Sequence, residues 1–246
     1  MIEDRRPLPE SSGALVQTAF RAYRRRFALY FGTAAGGLIA EAVATCLAPE
    51  NTGVIDAGSI VVDSLIAAVV TLGVVADVRE GDPLPDRAVA GRAVERWGLV
   101  AVVATLVQLI TLSTSDAVFG TPESTGYGLL ILPIVLVWGS LSFATVIATI
   151  DEKTPARVLA FSSIGRSFSL AIARQNWRRL AMLAIVAVLP VLVENVLMHQ
   201  LELRKVAGST FIANIPIDAL VSGPLQAVFT IFYLDFVRRS SGSRTK

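Results

Sequence analysis

The sequence predicts an all-α polytopic membrane protein, with six transmembrane helices arranged as three hairpin repeats and an interfacial amphipathic helix ahead of each. Three observations carry this expectation. First, 53% of the 246 residues are hydrophobic and only 17% are charged, which is too apolar for a soluble domain and leaves room for several spans of about 20 residues. Second, all 22 Lys and Arg residues lie outside six long apolar stretches, and all but Arg204 and Lys205 fall in alternate connections. Short cytoplasmic loops carry the excess of Lys and Arg, so this division places both termini in the cytoplasm. Third, the same local order recurs three times along the chain: amphipathic segment, span, outer loop, span.

The spans expected are Phe27–Leu47, Ala57–Val78, Trp97–Leu112, Tyr127–Ile150, Leu180–Met198 and Phe211–Phe236. The third is the shortest and reads as a continuation of the helix before it. Pro49–Asp56, Thr114–Gly126 and His199–Thr210 are rich in Pro, Gly, Asn and Ser and serve as outer loops. Residues 1–12 and 240–246 are polar cytoplasmic tails around a transmembrane domain of 13–239, whose repeats cover about 13–79, 86–153 and 157–239.

Each odd-numbered span is preceded by a segment with two faces. Val16, Phe20, Tyr23 and Phe27 recur at helical spacing against Arg21, Arg24 and Arg25. Val89, Ala93 and Trp97 oppose Arg87, Arg92, Glu95 and Arg96, and Phe161, Ile164, Phe168 and Ile172 oppose Arg157, Ser162, Arg166 and Ser169. Such helices lie in the headgroup plane with the apolar face down. The segments open into spans through the junctions RRRFALY, ERWGLVA and QNWRRLAM. Arg24, Arg25, Arg26, Trp97, Trp177, Arg178 and Arg179 are therefore the candidate contacts to the anionic inner leaflet. Each even-numbered span exits into an aspartate: Asp77, Asp151 and Asp235.

The composition also excludes. The net charge of +2 is made of basic residues bordering spans, with no basic domain, so nucleic acid is not an expected partner. Membrane lipids are, and a membrane-protein partner or a second copy of the chain suits the same reading. Cys46 is the single cysteine, which rules out an internal disulfide and a cysteine metal site. The first apolar stretch exceeds the core of a cleavable signal and reads as a retained span.

The run DEKTPARVLAFSSIGRSFSLAIARQNWRRLAMLAIV (151–186) leads from an acidic, proline-bearing exit through an RSFSL helix to a WRR junction. It resembles the membrane domain that accompanies some bacterial glycerophosphoryl diester phosphodiesterases. The end PLQAVFTIFYLDFVRR (224–239), closing with a proline, an aromatic pair, an aspartate and arginines, is similar to the same group. The resemblance covers about the last 90 residues and reaches the first half only through the repeat. It implies a six-span module of the bacterial inner membrane, often standing alone without an assigned activity. The diesterase chemistry of the fused relatives belongs to a separate barrel of about 250 residues, for which this sequence has no room. No catalytic residue, metal site or cofactor is expected.

Four carboxylates interrupt the apolar stretches: Glu41, Asp63, Glu194 and Asp218. Measured along the helices from Arg26, Arg179, Asp77 and Asp235, all four fall about 21 to 25 Å from the inner headgroups, in the outer third of the membrane. Asn195, Asn214 and Gln108 stand at comparable heights. Ionisable residues at such positions either line an outward-facing vestibule for a cation, proton or basic headgroup, or reach the outer interface and cap helix ends. His199, the single histidine, lacks the further ligands that zinc needs. No serine, histidine and acid set and no glycine-rich phosphate loop is recognisable. Gly32 and Gly36 make a small-xxx-small face suited to close packing between helices. Pro133, Pro190, Pro216 and Pro224 lie inside spans, where they kink helices or, in transporters, mark broken helices at binding sites. Two functions follow as expectations: a lipid-associated or scaffolding membrane module, or a small transporter or channel using the acidic layer.

Overall fold

The computed structural model describes residues 8–9, 11–47, 52–79, 84–119, 141–152, 154–173, 176–187 and 209–242. Among these the fold is all helical, with α1 Ser12–Arg25, α2 Phe27–Leu47, α3 Thr52–Arg79, α4 Asp86–Phe119, α5 Phe143–Ile150, α6 Ala156–Ile172 and α7 Ser209–Gly242. Residues 177–187 form a further helical segment. Three helical stretches are long and apolar enough to cross a membrane: Gly58–Val78, Asp86–Ile110 and Ala219–Ser240. Phe27–Val43 is a shorter apolar stretch. Most of the expected fourth span, the outer part of the fifth, and residues 120–126 and 199–208 of the expected loops lie outside the described residues, whereas 52–56 and 114–119, expected in outer loops, are helical and belong to α3 and α4.

The bundle is built around α3 and α7. α7 packs against α1, α2, α3 and α5, and α3 against α1, α2, α4, α5 and α7. A helix apolar all round belongs in the interior, and from Ala227 to Phe236 every residue of α7 is buried. By contrast α4 turns Val94, Val102, Leu109 and Ile110 outward. In water such a surface would be a large exposed patch, and in lipid it needs no further cover. α7 runs unbroken through Pro216 and Pro224, so neither proline divides the helix into the two halves that a transporter-type site would use.

The three segments expected to be amphipathic differ in how they join the helix that follows. α1 starts at the Ser11 cap, whose hydroxyl accepts from the Ala14 N–H at 3.2 Å, and is parted from α2 only at Arg26 (φ −117°, ψ 29°). In the second repeat no break exists, because α4 carries the amphipathic segment and the span as one helix. In the third, α6 ends at Ile172 and helix resumes at residue 177.

The sequence expected Val16, Phe20, Tyr23 and Phe27 to share one lipid-facing stripe. Instead Leu15, Ala19, Ala22 and Tyr23 are buried against the bundle, while Phe20 and Phe27 stay exposed on a neighbouring flank. α6 repeats the arrangement with Leu159, Ala160, Ser163, Ser167 and Ala171 inward and Phe161, Phe168 and Ile172 outward. Small side chains let a helix approach its neighbours closely, which leaves the large apolar ones for the outside.

Two tyrosines lock the start of α2. Tyr23 and Tyr30 stack with ring centroids 5.4 Å apart. The Tyr23 ring fills the notch left by Gly223 on α7, and Tyr30 the notch left by Gly73 on α3. Gly37 likewise receives Val62. Gly32 and Gly36, expected at a helix contact, face open space instead. Spacing identifies a small-residue stripe but not which stripe meets a neighbour.

Candidate functional site

Asp77 near the end of α3, Asp151 just after α5 and Asp235 near the end of α7 each meet an arginine that lies 51 to 56 residues earlier. Arg26 donates to Asp77 Oδ1 from Nε at 3.1 Å and from Nη2 at 2.8 Å, across 51 residues. Arg96 donates to the Asp151 carbonyl at 3.2 Å, across 55 residues. Arg179 donates to Asp235 Oδ2, across 56 residues. The three contacts have near-equal separations in sequence and form polar clasps at helix ends.

The clasps differ in burial and charge. In the first, Arg26 also reaches Asp86 at 2.5 Å, so two carboxylates share one guanidinium. Burial disfavours the Arg26 cation, but the hydrogen bond and charge of Asp77 outweigh it and raise its pKa above the ordinary arginine range. In the third, Asp235 is wholly enclosed and also takes Arg238 at 2.9 Å and Arg239 at 3.0 Å. There burial lowers the Arg179 pKa, Asp235 opposes the shift, and Arg239 adds to it by repulsion. Positive charge is in surplus at this clasp, negative charge at the first. The second is looser: Arg166, half exposed, pairs with Asp151 at 2.5 Å, and Thr154 caps the same carboxylate from its hydroxyl at 2.9 Å.

Two of the seven expected lipid contacts are therefore corrected. Arg26 and Arg179 are 6% and 7% exposed and serve internal pairs rather than headgroups. Arg24, Arg25, Arg178 and Trp177 are exposed, with the Trp177 indole N–H on the Ile172 carbonyl at 3.1 Å. Trp97 is half-buried, and its N–H is used on the Val61 carbonyl at 2.8 Å and the Ser64 hydroxyl at 3.0 Å. It fastens α4 to α3, a role that an aromatic at a span junction conceals when read from sequence.

Of the acidic layer, Glu41 and Asp63 come together. They line a cleft of about 310 Å³ with Leu38, Ser59, Ser222 and Leu225, formed by α2, α3 and α7. Asp218 sits on α7 one turn before Ser222, with its side chain outside the described set, and Glu194 lies outside the described residues, as does His199. Deeper between α3 and α7, the Gln226 amide donates to the Thr71 hydroxyl at 3.0 Å, and the Thr71 and Thr230 hydroxyls are 3.2 Å apart. Interhelical hydrogen bonds of this kind contribute about 1 kcal/mol in an apolar setting. Gln226 and Thr71 were not among the residues singled out from sequence, where a lone Thr or Gln in a span carries no distinctive spacing.

Among the described residues no group of three or more His, Cys, Asp or Glu is placed to hold a metal ion. Nothing matches this chain among protein-family models, curated proteins or solved structures.

Proposed function

We propose that this chain is a six-span module of the bacterial inner membrane, without catalytic activity, whose basic face holds anionic lipid and so supports a scaffolding or recruiting role. In this reading residues 1–26, 79–96, 151–179 and 237–246 are cytoplasmic, and the resemblance of 151–186 and 224–239 to a phosphodiesterase-associated membrane domain belongs to the same proposal. The observation that supports it most is the sorting of neighbouring arginines. Arg26 and Arg179 turn inward to aspartates, whereas Arg24, Arg25 and Arg178 beside them stay exposed. Exposed Phe20, Phe27, Phe161, Phe168 and Trp177 flank the same helices. Aromatic and basic side chains exposed together suit the headgroup region, where each basic residue contributes about 1 kcal/mol toward anionic lipid.

The test is lipid retention after extraction, read against salt. Wild-type protein should keep anionic lipid over neutral phosphatidylcholine, and the triple variant Arg24→Gln, Arg25→Gln, Arg178→Gln should lose that preference, as should wild type at high salt, because screening weakens exposed attractions. Equal retention of both lipids by wild type would remove the proposal.

The cleft at Glu41 and Asp63 favours a second reading, a small transporter or channel that admits a cation or proton from the outer side. Its test is the thermal stability of Glu41→Gln, Asp63→Asn and Asp218→Asn with and without added cation. Curves that match wild type under every condition would dispose of the second reading and leave the first.

A further inference from the structure

A pocket of about 220 Å³ opens where α1 crosses the end of α3, and its lining is chemically divided. Thr18, Arg21 and Arg25 project from the polar flank of α1, Asp77 and Val78 come from the last turns of α3, and Leu8 closes one side. Leu8 is held in place by Arg238, which donates to its carbonyl at 2.7 Å. A water molecule occupies about 30 Å³ of liquid, so the space suits a small organic group as well as solvent.

Two unmet needs occur among the residues that line this pocket. Arg21 and Arg25, one helical turn apart, are exposed and have no hydrogen-bond or ion-pair partner among the described residues. Asp77, with its side chain 3% exposed, accepts both Arg26 bonds on Oδ1, while buried Oδ2 has no hydrogen-bond partner. A buried carboxylate oxygen without a donor is uncommon enough to need a cause, and a ligand that donates to it would supply one. Asp77 and Asp86 also share the single Arg26 guanidinium, so neither carboxylate has that cation to itself. The complement of the pocket is an anion for the arginines joined by a short linker to a cationic N–H donor for the aspartate.

We infer that the pocket binds a phosphoethanolamine-type group, with the phosphate on Arg21 and Arg25 and the primary ammonium on Asp77 Oδ2. Guanidinium matches phosphate oxygens through paired N–H donors, and a primary ammonium supplies the N–H that a trimethylammonium lacks. The same chemistry is present in a lipid headgroup and in the free phosphate ester. The site rests on the membrane reading only for the lipid source, since it names which headgroup the inner face selects.

The experiment uses the full-length protein in two arms. In one, native mass spectrometry counts phosphatidylethanolamine, its N-methylated forms and phosphatidylcholine retained from mixed micelles. In the other, thermal shift is measured with free phosphoethanolamine, phosphocholine and inorganic phosphate. The ethanolamine form should be preferred over the choline form by about tenfold, as expected for one hydrogen bond to a charged group, and the preference should fall with each added methyl. Arg21→Gln with Arg25→Gln should abolish it, and because both side chains are exposed the variant should fold as wild type does. Preference in the micelle arm alone assigns the lipid source, and preference in both arms admits the free ester. Equal binding of ethanolamine and choline forms in both arms, or a preference that survives in the double variant, overturns the site. A wild type that keeps anionic lipid yet shows no ethanolamine preference overturns this inference alone, whereas a protein that integrates into no bilayer overturns the membrane reading and the lipid form of the site together.

Discussion

Removing the Asp235 carboxylate should be among the most destabilising single changes in the described bundle. Asp235 has no exposed side-chain surface and receives Arg179, Arg238 and Arg239. Arg238 and Arg239, at 30% and 36% side-chain exposure, can turn to water in Asp235→Ala. Arg179, at 8%, cannot. Breaking a buried ion pair by removing one member costs about 3–5 kcal/mol. At about 2–4 °C per kcal/mol for a chain of this size, the melting temperature should fall by roughly 6–20 °C. Asp151→Ala supplies the comparison: its partner Arg166 is half exposed, so the lost pair should cost only about 1 kcal/mol. Thermal melts of purified protein, followed by circular dichroism, read both. Adding Arg179→Met to Asp235→Ala should recover much of the loss, since removing both charges spares the desolvation that one alone incurs. If Asp235→Ala melts no lower than Asp151→Ala, or if the second substitution makes matters worse by its full single-variant cost, the buried clasp is not what holds the helix at 177–187 to α7.

Gly73→Ala and Gly223→Ala should each cost about 1–3 kcal/mol, because the added methyl meets Tyr30 or Tyr23 where both rings are buried. Gly32→Ala and Gly36→Ala meet nothing and should be neutral or stabilising by up to about 1 kcal/mol through helix propensity; melts in detergent compare the two sets. Tyr23→Phe should leave stability at neutral pH unchanged or slightly higher, since the Tyr23 hydroxyl is buried without a hydrogen-bond partner. Burial raises the Tyr23 pKa by disfavouring the phenolate, so the folded state carries no penalty below the ordinary phenol value of about 10 and loses stability as pH climbs from there through the higher folded value. Tyr23→Phe should therefore be less sensitive to alkali than wild type in a pH series of melts. Trp97→Phe, which keeps the ring but loses the N–H bonds to Val61 and Ser64, should lower stability by about 1 kcal/mol without altering lipid retention.

The helical class and much of the order of elements were legible in the sequence because apolar length and arginine placement report them directly. α2 spans Phe27–Leu47, the range that its flanking charges indicate. The three junction arginines and three exit aspartates were also visible as recurring marks. Their pairing was not, since nothing local links residues 51 to 56 positions apart. Within RRRF and WRRL, only the arginine directly before the span turns inward, and its neighbours on the helix point elsewhere. That position, next to the first apolar residue and matched by an aspartate at the return of the hairpin, is the signal that would have separated clasp from lipid contact. The notches at Gly37, Gly73 and Gly223 were hidden for a different reason: which face of an all-apolar helix meets a neighbour is decided by tertiary packing, and periodicity is weakest in such helices. In the acidic layer, Glu41 and Asp63 converge because α2 and α3 are adjacent and antiparallel, so equal heights along the two helices become a shared cleft.

The central claim is that the arginine-bearing ends of the helices share one side of a membrane, and an impermeant maleimide applied to intact cells tests it most directly. Cys46, exposed near the end of α2 away from Arg26, is the native reporter of the opposite side. Single cysteines at Arg24, Arg92, Arg178 and Ser240 in a Cys46→Ala background report the clasp side. The account predicts that Cys46 reacts from outside and that the four others react only after the cells are opened. Labelling of any one of those four in intact cells, or protection of Cys46 until opening, would contradict it.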